Sequence, residues 1–320
     1  MKESNYLMFI VMRLFIALIP LALGWPVLAF CFCAYNLVMI TATRGGIYGG
    51  VATITASAAG ALLCYICGYG AVYGGFFAVE LLLASTFCAM SVITRRSFST
   101  GLLLTSLGYG IGSVMNLKYM ADSAGLSIAD YMLSGVDGIL GQTVSSFGES
   151  FTFAGTTYSA ADLLSMITNA LKSCIPTAVI VSTLTAGYIV MWMVSRSLRG
   201  TPLSNGHSFA GIRLSFPALG FGLVMLVLLF LPGDMTGLVG LNGLLIFLCL
   251  AFFSGMSLLE FLMRLKIRSS LARIMLHGAI LMGGYLIAAF LPVVNIFLLY
   301  AIFGIVDSFA SIRKRVTAGS

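Results

Sequence analysis

The sequence predicts an all-α, polytopic transmembrane helix bundle of about 8–10 spans, with both termini on the cytoplasmic side. Three observations predict it. The 320 residues are 60% hydrophobic and only 8% charged, against roughly 25% charged in soluble domains. The apolar residues fall into runs near the about 20 residues that a helix needs to cross a 30 Å hydrocarbon core. The basic residues cluster between alternate runs, as the positive-inside rule requires of a chain that crosses repeatedly.

The runs lie at about 7–23, 25–42, 46–69, 71–93, 98–117, 173–195, 215–232, 240–262, 274–291 and 293–308. In the first, Arg13 interrupts the apolar stretch and no small-residue cleavage site follows, so this segment reads as retained rather than as a cleaved signal. The first and last pairs are short and closely joined, through Gly24-Trp25-Pro26 and Leu291-Pro292. Each pair reads as a hairpin of short spans or as a kinked, partly re-entrant element. Eight full spans with irregular ends is the nearest alternative.

Charge placement tests this assignment independently. With the N-terminus inside, the cytoplasmic positions carry Lys2, Arg44, Arg95, Arg96, Arg196, Arg199, Arg213, Arg264, Lys266, Arg268, Arg273, Arg313, Lys314 and Arg315, which are 14 of the 17 basic residues. Only Lys118 and Lys172 fall outside, together with Asp122, Asp130, Asp137, Glu149, Asp162 and Asp234. Topology thus accounts for the formal charge of +7, and nucleic acid is not an expected partner.

The organisation reads as an N-terminal membrane half (1–118), an extracytoplasmic segment (119–172), a C-terminal membrane half (173–315) and a tail (316–320). In the outer segment, Ser127-Ile-Ala-Asp130 has the form of a capping box. Ile128, Met132, Val136, Leu140 and Val144 then recur at helical spacing, an amphipathic pattern suited to the bundle mouth or the interface. A second box, Ser159-Ala-Ala-Asp162, starts a helix that could run to Arg196, about 55 Å at 1.5 Å per residue. The first half is rich in small residues, among them Gly45, Gly46, Gly49, Gly50, Gly60, Gly108 and Gly112, which allow close helix packing or the docking of another membrane subunit.

Enzymatic constellations are missing, so the chain reads as a non-enzyme with no cofactor or metal. His207 and His277 stand alone, and no zinc-spaced set, nucleophile elbow or P-loop occurs. Cys64 and Cys67 form a single CxxC without a second ligand pair, and five other cysteines sit within apolar runs as small hydrophobes. Intramembrane ionisable residues are functional candidates by default. Glu80 lies deepest, near the middle of the fourth run, and Arg13 and Asn36 are the other ligand-binding candidates. Glu260 and Arg264 form an i,i+4 pair. Together with Asp307 and Arg313 they are candidates for structural or partner contacts.

The C-terminal third resembles the YybS-like family of bacterial multi-pass membrane proteins, whose function is uncharacterised. The resemblance rests on Ser215-Phe216-Pro217, on Gly255-Met-Ser-Leu-Leu-Glu260-Phe, on Gly304-Ile-Val-Asp307 followed by Arg313, and on Arg44-Gly45-Gly46 near the N-terminus. The glycine-rich third span and the length of the outer segment depart from the family pattern. That family is distantly similar to the substrate-binding subunits of energy-coupling-factor transporters. The resemblance implies an inner-membrane bundle with a small-molecule cavity opening outward, served by a separate energising subunit, and it transfers no site residue. A transport component binding a small molecule within the bundle is therefore the leading expectation, with the outer segment covering the site and Glu80 lining it. A non-transporting scaffold or envelope-assembly factor is the alternative.

Overall fold

The computed structural model describes residues 3–134, 141–142, 144, 150–153, 156–198, 209–290 and 296–318. A helix overlaps each of the ten apolar runs. Among the described residues, six helices are long and apolar enough to cross a membrane. They are α2 (Pro26–Arg44), α3 (Gly46–Ile66), α4 (Ala71–Ile93), α5 (Phe98–Ser123), α7 (Ala160–Ser197) and α9 (Asp234–Lys266). Shorter apolar stretches lie in α1 (Glu3–Ala22), α8 (Phe216–Phe230), α10 (Ser270–Phe290) and α11 (Ile296–Ala310). Val136, Asp137, Leu140, Glu149, Arg199, His207 and the Leu291-Pro292 junction, along with Lys2, lie outside the described residues.

The chain forms two compact units, Met1–Asn205 and Gly206–Ser320. This division differs from the halves expected around the outer segment. Helix α7 packs against α5 and α2, so the sixth apolar run completes the first unit.

In the first unit, α1 and α2 form a helical hairpin. Gly24 at φ 82° makes the turn, the Trp25 amide donates to the Pro20 carbonyl at 2.8 Å, and Pro26 opens α2. Gly45 alone separates α2 from α3, at φ 95°, a conformation open to glycine and strained for other residues. Small residues then set how closely the helices approach. A Cβ on Gly108 would meet the backbone of Ala84 at 2.7 Å, and one on Gly74 would meet the Ala61 carbonyl at 2.6 Å. This is intramolecular packing of the small-xxx-small kind.

The second capping box forms in full, and the first shows only its serine-to-amide half. Ser159 Oγ accepts from the Asp162 amide, and Asp162 Oδ2 accepts from the Ser159 amide, each at 3.1 Å. At α6 (Ile128–Ser134) Ser127 Oγ accepts from the Asp130 amide at 3.1 Å, and its hydroxyl donates to Asp130 Oδ2 at 2.6 Å. Leu133 of α6 is buried, as is Val144. Helix α7 runs unbroken through Pro176 for 38 residues, about 57 Å, and its buried residues begin only at Ile175. Its first turns therefore project beyond the packed core of the unit. There Lys172 Nζ meets Asp130 Oδ1 at 2.6 Å. The Lys172 ammonium and the Ser127 hydroxyl hold the Asp130 carboxyl below the usual carboxylate range. This tie is present above that range and is lost as pH falls through the depressed value.

One element was not anticipated. Strands β1 (Ser150–Phe153) and β2 (Thr156–Ser159) form an antiparallel pair with Ser150 opposite Ser159. Its signal is visible in retrospect: Phe-Thr-Phe and Thr-Thr-Tyr flank Ala-Gly, β-formers on either side of a two-residue link containing glycine.

In the second unit α9 is the central helix, packed on α8 and α11. A Cβ on Gly240 would run into the Leu229 backbone, and one on Gly222 would meet the Phe247 ring at 2.6 Å. On the other side Gly255 of α9 faces the Tyr300 carbonyl of α11, and Gly304 of α11 faces the Ala251 carbonyl of α9. Ser215 caps α8 by accepting from the Ala218 amide at 3.4 Å, with Pro217 in the first turn. A short terminal helix, α12 (Ile312–Ala318), follows α11 after Ser311.

Candidate functional site

The three ligand-binding candidates from the sequence are not brought together. Glu80 is buried on α4, where Ser113 of α5 donates to its Oε1 at 3.1 Å and Gly112 leaves room for its side chain. Arg13 is exposed on α1 with its guanidinium 5.4 Å from the centre of the Phe9 ring, a partner on its own helix. Asn36 donates to the Phe32 carbonyl at 2.9 Å, one turn back on α2. Arg13 faces outward, whereas Glu80 faces the α4–α5 seam. Glu80 thus has the surroundings of a helix-to-helix tie. Glu80→Gln should keep the Ser113 contact and melt within a degree or two of the native protein. Glu80→Leu leaves Ser113 without its partner and should cost about 1–3 kcal/mol. Equal melting temperatures for the two variants would remove this assignment.

Among the described residues, a site with room for a ligand lies on another face of α4. A cleft of about 560 Å³ opens between the end of α2 and facing stretches of α3 and α4. It is lined by Thr41 of α2, by Gly46, Gly49, Gly50, Thr53 and Ile54 of α3, and by Leu82, Ser85, Thr86, Ala89, Met90, Ile93 and Thr94 at and beside α4. Glu80 is not part of the lining. The volume falls within the 300–1,000 Å³ typical of small-molecule sites.

The chemistry of the lining is more apolar than its residue types imply. Thr41, Thr53, Ser85 and Thr94 donate their hydroxyl protons to carbonyls one turn back on their own helices, at 2.8, 2.8, 2.6 and 2.7 Å. Their donors are therefore occupied within the helix. Two of the glycines are also distinctive. Nothing lies within 4 Å of a Cβ built on Gly46 or Gly50, whereas one on Gly49 would collide with Thr41. Gly49 is needed for packing; Gly46 and Gly50 leave open space.

The mouth of the cleft carries a backbone outlier. The end of α4 is a Schellman turn, in which the Arg95 amide donates to Val92 at 3.1 Å and the Arg96 amide to Ser91 at 2.9 Å. The left-handed position, usually glycine, is held by Arg95 at φ 52°. Arg95 and Arg96 are exposed, as is Arg44, which lies between the lining residues Thr41 and Gly46.

In the second unit the four contact candidates do meet partners. Glu260 Oε1 accepts from Arg264 Nε at 2.7 Å and from Arg273 Nε at 3.0 Å, and His277 Nε2 lies 3.6 Å from Oε2. Arg273 Nη1 also donates to the carbonyls of Ile267 and Arg268 at 2.7 and 3.0 Å, closing the α9–α10 turn. The i,i+4 rule identified Arg264, but Arg273 and His277 come from the next helix, which spacing along one helix cannot reveal. Asp307 and Arg313 are almost completely buried, with Oδ2 and Nε 2.9 Å apart but poorly aligned for a hydrogen bond. Arg313 also donates to the Ala210 carbonyl, to Ser257 Oγ at 3.1 Å and to the Ser254 carbonyl at 3.3 Å. These are structural knots, and each draws on residues through which the sequence resembled a family: Gly255, Glu260, Gly304, Asp307 and Arg313.

Comparison with known proteins adds the class of the whole chain. Residues 9–308 match the family described as Predicted membrane protein (DUF2232). No curated protein and no solved structure matches.

Proposed function

The chain belongs to that DUF2232 family of membrane proteins, and on this premise we propose that it is a ligand-binding component of a membrane transport system, working in the bacterial inner membrane. The observation that carries this reading is the α3–α4 cleft, with its vacant glycines and a strained arginine at its mouth. Backbone strain at a non-glycine residue is retained where the surroundings over-determine it, which happens most often at functional sites. Glycine inside a helix costs about 0.5–1 kcal/mol relative to alanine. Gly50 carries that cost with neither a positive φ nor a close neighbour to require it, as Gly75 of α4 and Gly278 of α10 also do. In the wall of the cleft, space for a ligand gives Gly50 a reason.

Orientation with both termini inside, as charge placement predicts, puts the cleft mouth at the cytoplasmic surface, since Arg44, Arg95 and Arg96 flank it. This is the face on which a separate energising subunit would act. It differs from the outward-opening cavity that the resemblance to energy-coupling-factor subunits implies.

The test fills the cleft. Gly50→Leu introduces a side chain where nothing stands within 4 Å, and helix propensity favours leucine over glycine by about 0.8–1 kcal/mol. The variant should be as stable as the native protein or more so, and native mass spectrometry after gentle extraction should show its bound species lost. A variant that folds and keeps the same bound species would remove the cleft from consideration. A native protein carrying only a protein subunit, and no smaller mass, would favour the scaffold instead.

A further inference from the structure

We infer that the α3–α4 cleft is a site for one acyl chain of an anionic phospholipid drawn from the cytoplasmic leaflet, its phosphate held at the mouth by Arg44 and Arg95. The inference rests on the cleft reading above and names the class of molecule that enters. Depth is the first argument. Along α3 the lining runs from Gly46 to Ile54, and along α4 from Leu82 to Thr94, about 12 and 18 Å at 1.5 Å per residue. Half of a 30 Å hydrocarbon core is about 15 Å. The cleft therefore begins at one membrane surface and ends near the midplane, the depth of a single leaflet.

Lining chemistry is the second argument. A sugar, nucleotide or amino acid needs donors and acceptors to replace its water. Four of the hydroxyls here already donate to their own helices, and the rest of the wall includes Ile54, Leu82, Met90 and Ile93. Such a wall suits a hydrocarbon chain better than a polar solute, to which it offers mainly acceptor lone pairs and the Thr86 hydroxyl.

Charge placement is the third. Arg44 follows Thr41 by three residues and Arg95 follows Thr94 directly, so an exposed arginine lies within three positions of the lining at the ends of both α2 and α4. Basic residues at the cytoplasmic surface attract anionic lipid by about 1 kcal/mol each, and arginine recognises phosphate through its planar fork of donors. The left-handed backbone of Arg95 fixes where its side chain leaves the turn.

The test uses the full chain in nanodiscs of phosphatidylcholine with a minor share of phosphatidylglycerol, followed by detergent extraction and native mass spectrometry. The native protein should retain phosphatidylglycerol in preference to phosphatidylcholine. Arg44→Gln and Arg95→Gly should each lower that preference about fivefold, which is the worth of one surface arginine. Arg95→Gly also relieves the left-handed backbone, so it should fold at least as well as the native chain, which separates lost recognition from lost structure. Gly50→Leu should remove the retained lipid of both kinds. Excess inorganic phosphate should displace nothing, because the chain in the cleft is the anchor.

Equal retention of the two lipids by the native protein would overturn the inference, as would a preference indifferent to both arginines. Displacement by phosphate would point to a soluble phosphate compound, overturning the lipid while leaving the ligand-binding reading intact. A retained mass unaffected by Gly50→Leu would overturn both readings together.

Discussion

Replacing Arg313 with methionine should lower the melting temperature of the second unit sharply, at a cost of about 3–5 kcal/mol. The effect is large because it leaves Asp307 buried and uncompensated, with a relative exposure of 1%. The same change removes the donors that reach Ala210, Ser254 and Ser257, so the 209–214 stretch keeps only the Ser257–Ile212 and Leu214–Ser254 bonds as its polar ties to α9. A second variant isolates the charge. Asp307→Asn together with Arg313→Met leaves no ionised group in the pocket and should recover part of the loss. A buried pair is costly to break from one side, and less so to replace as a whole. Thermal unfolding followed by a reporter in α9 measures both. A single variant within about 1 kcal/mol of the native protein, the scale of an exposed surface pair, would show that the knot contributes little.

The second large effect is steric. Gly255→Ala should destabilise the α9–α11 crossing by about 3 kcal/mol, at the upper end of ordinary overpacking, because the new methyl group points into the Tyr300 carbonyl. A carbonyl on a neighbouring helix cannot swing aside as a side chain does, so relief requires the two helices to separate. Gly278→Ala on α10 is the matched control. Nothing lies within 4 Å of its Cβ position, and the better helix former should stabilise by about 0.8–1 kcal/mol. If both changes shift the melting temperature alike, the crossing is not held by close approach.

What could be read beforehand followed from rules that act along the chain. Apolar runs located the helices, because a bilayer imposes nearly the same length on every span. Ser159 and Asp162 announced the start of α7, since a capping box is a local arrangement of four residues. Glu260 and Arg264 announced each other for the same reason. Features made by distant segments were not legible. Arg273 reaches Glu260 across a turn, and Arg313 reaches Ala210 over 103 positions. The boundary between the two units depends on where α7 packs, which an apolar run does not specify. Glu80 stood out because a charge within a span is rare, and rarity marked a buried residue without saying what it serves. The cleft was least visible of all. Gly46, Gly49 and Gly50 look alike in sequence, and only their neighbours separate the one that packs from the two that leave space.

The short helix α8 has a consequence for the lipid around the second unit. Its 15 residues, Phe216 to Phe230, extend about 22 Å, some 8 Å less than the average hydrocarbon thickness. Phe216 and Phe230, at its two ends, are 82% and 79% exposed. Where this helix faces hydrocarbon, the mismatch costs a fraction of a kcal/mol for each ångström and is met by local thinning of the bilayer or by neighbours with equally short helices.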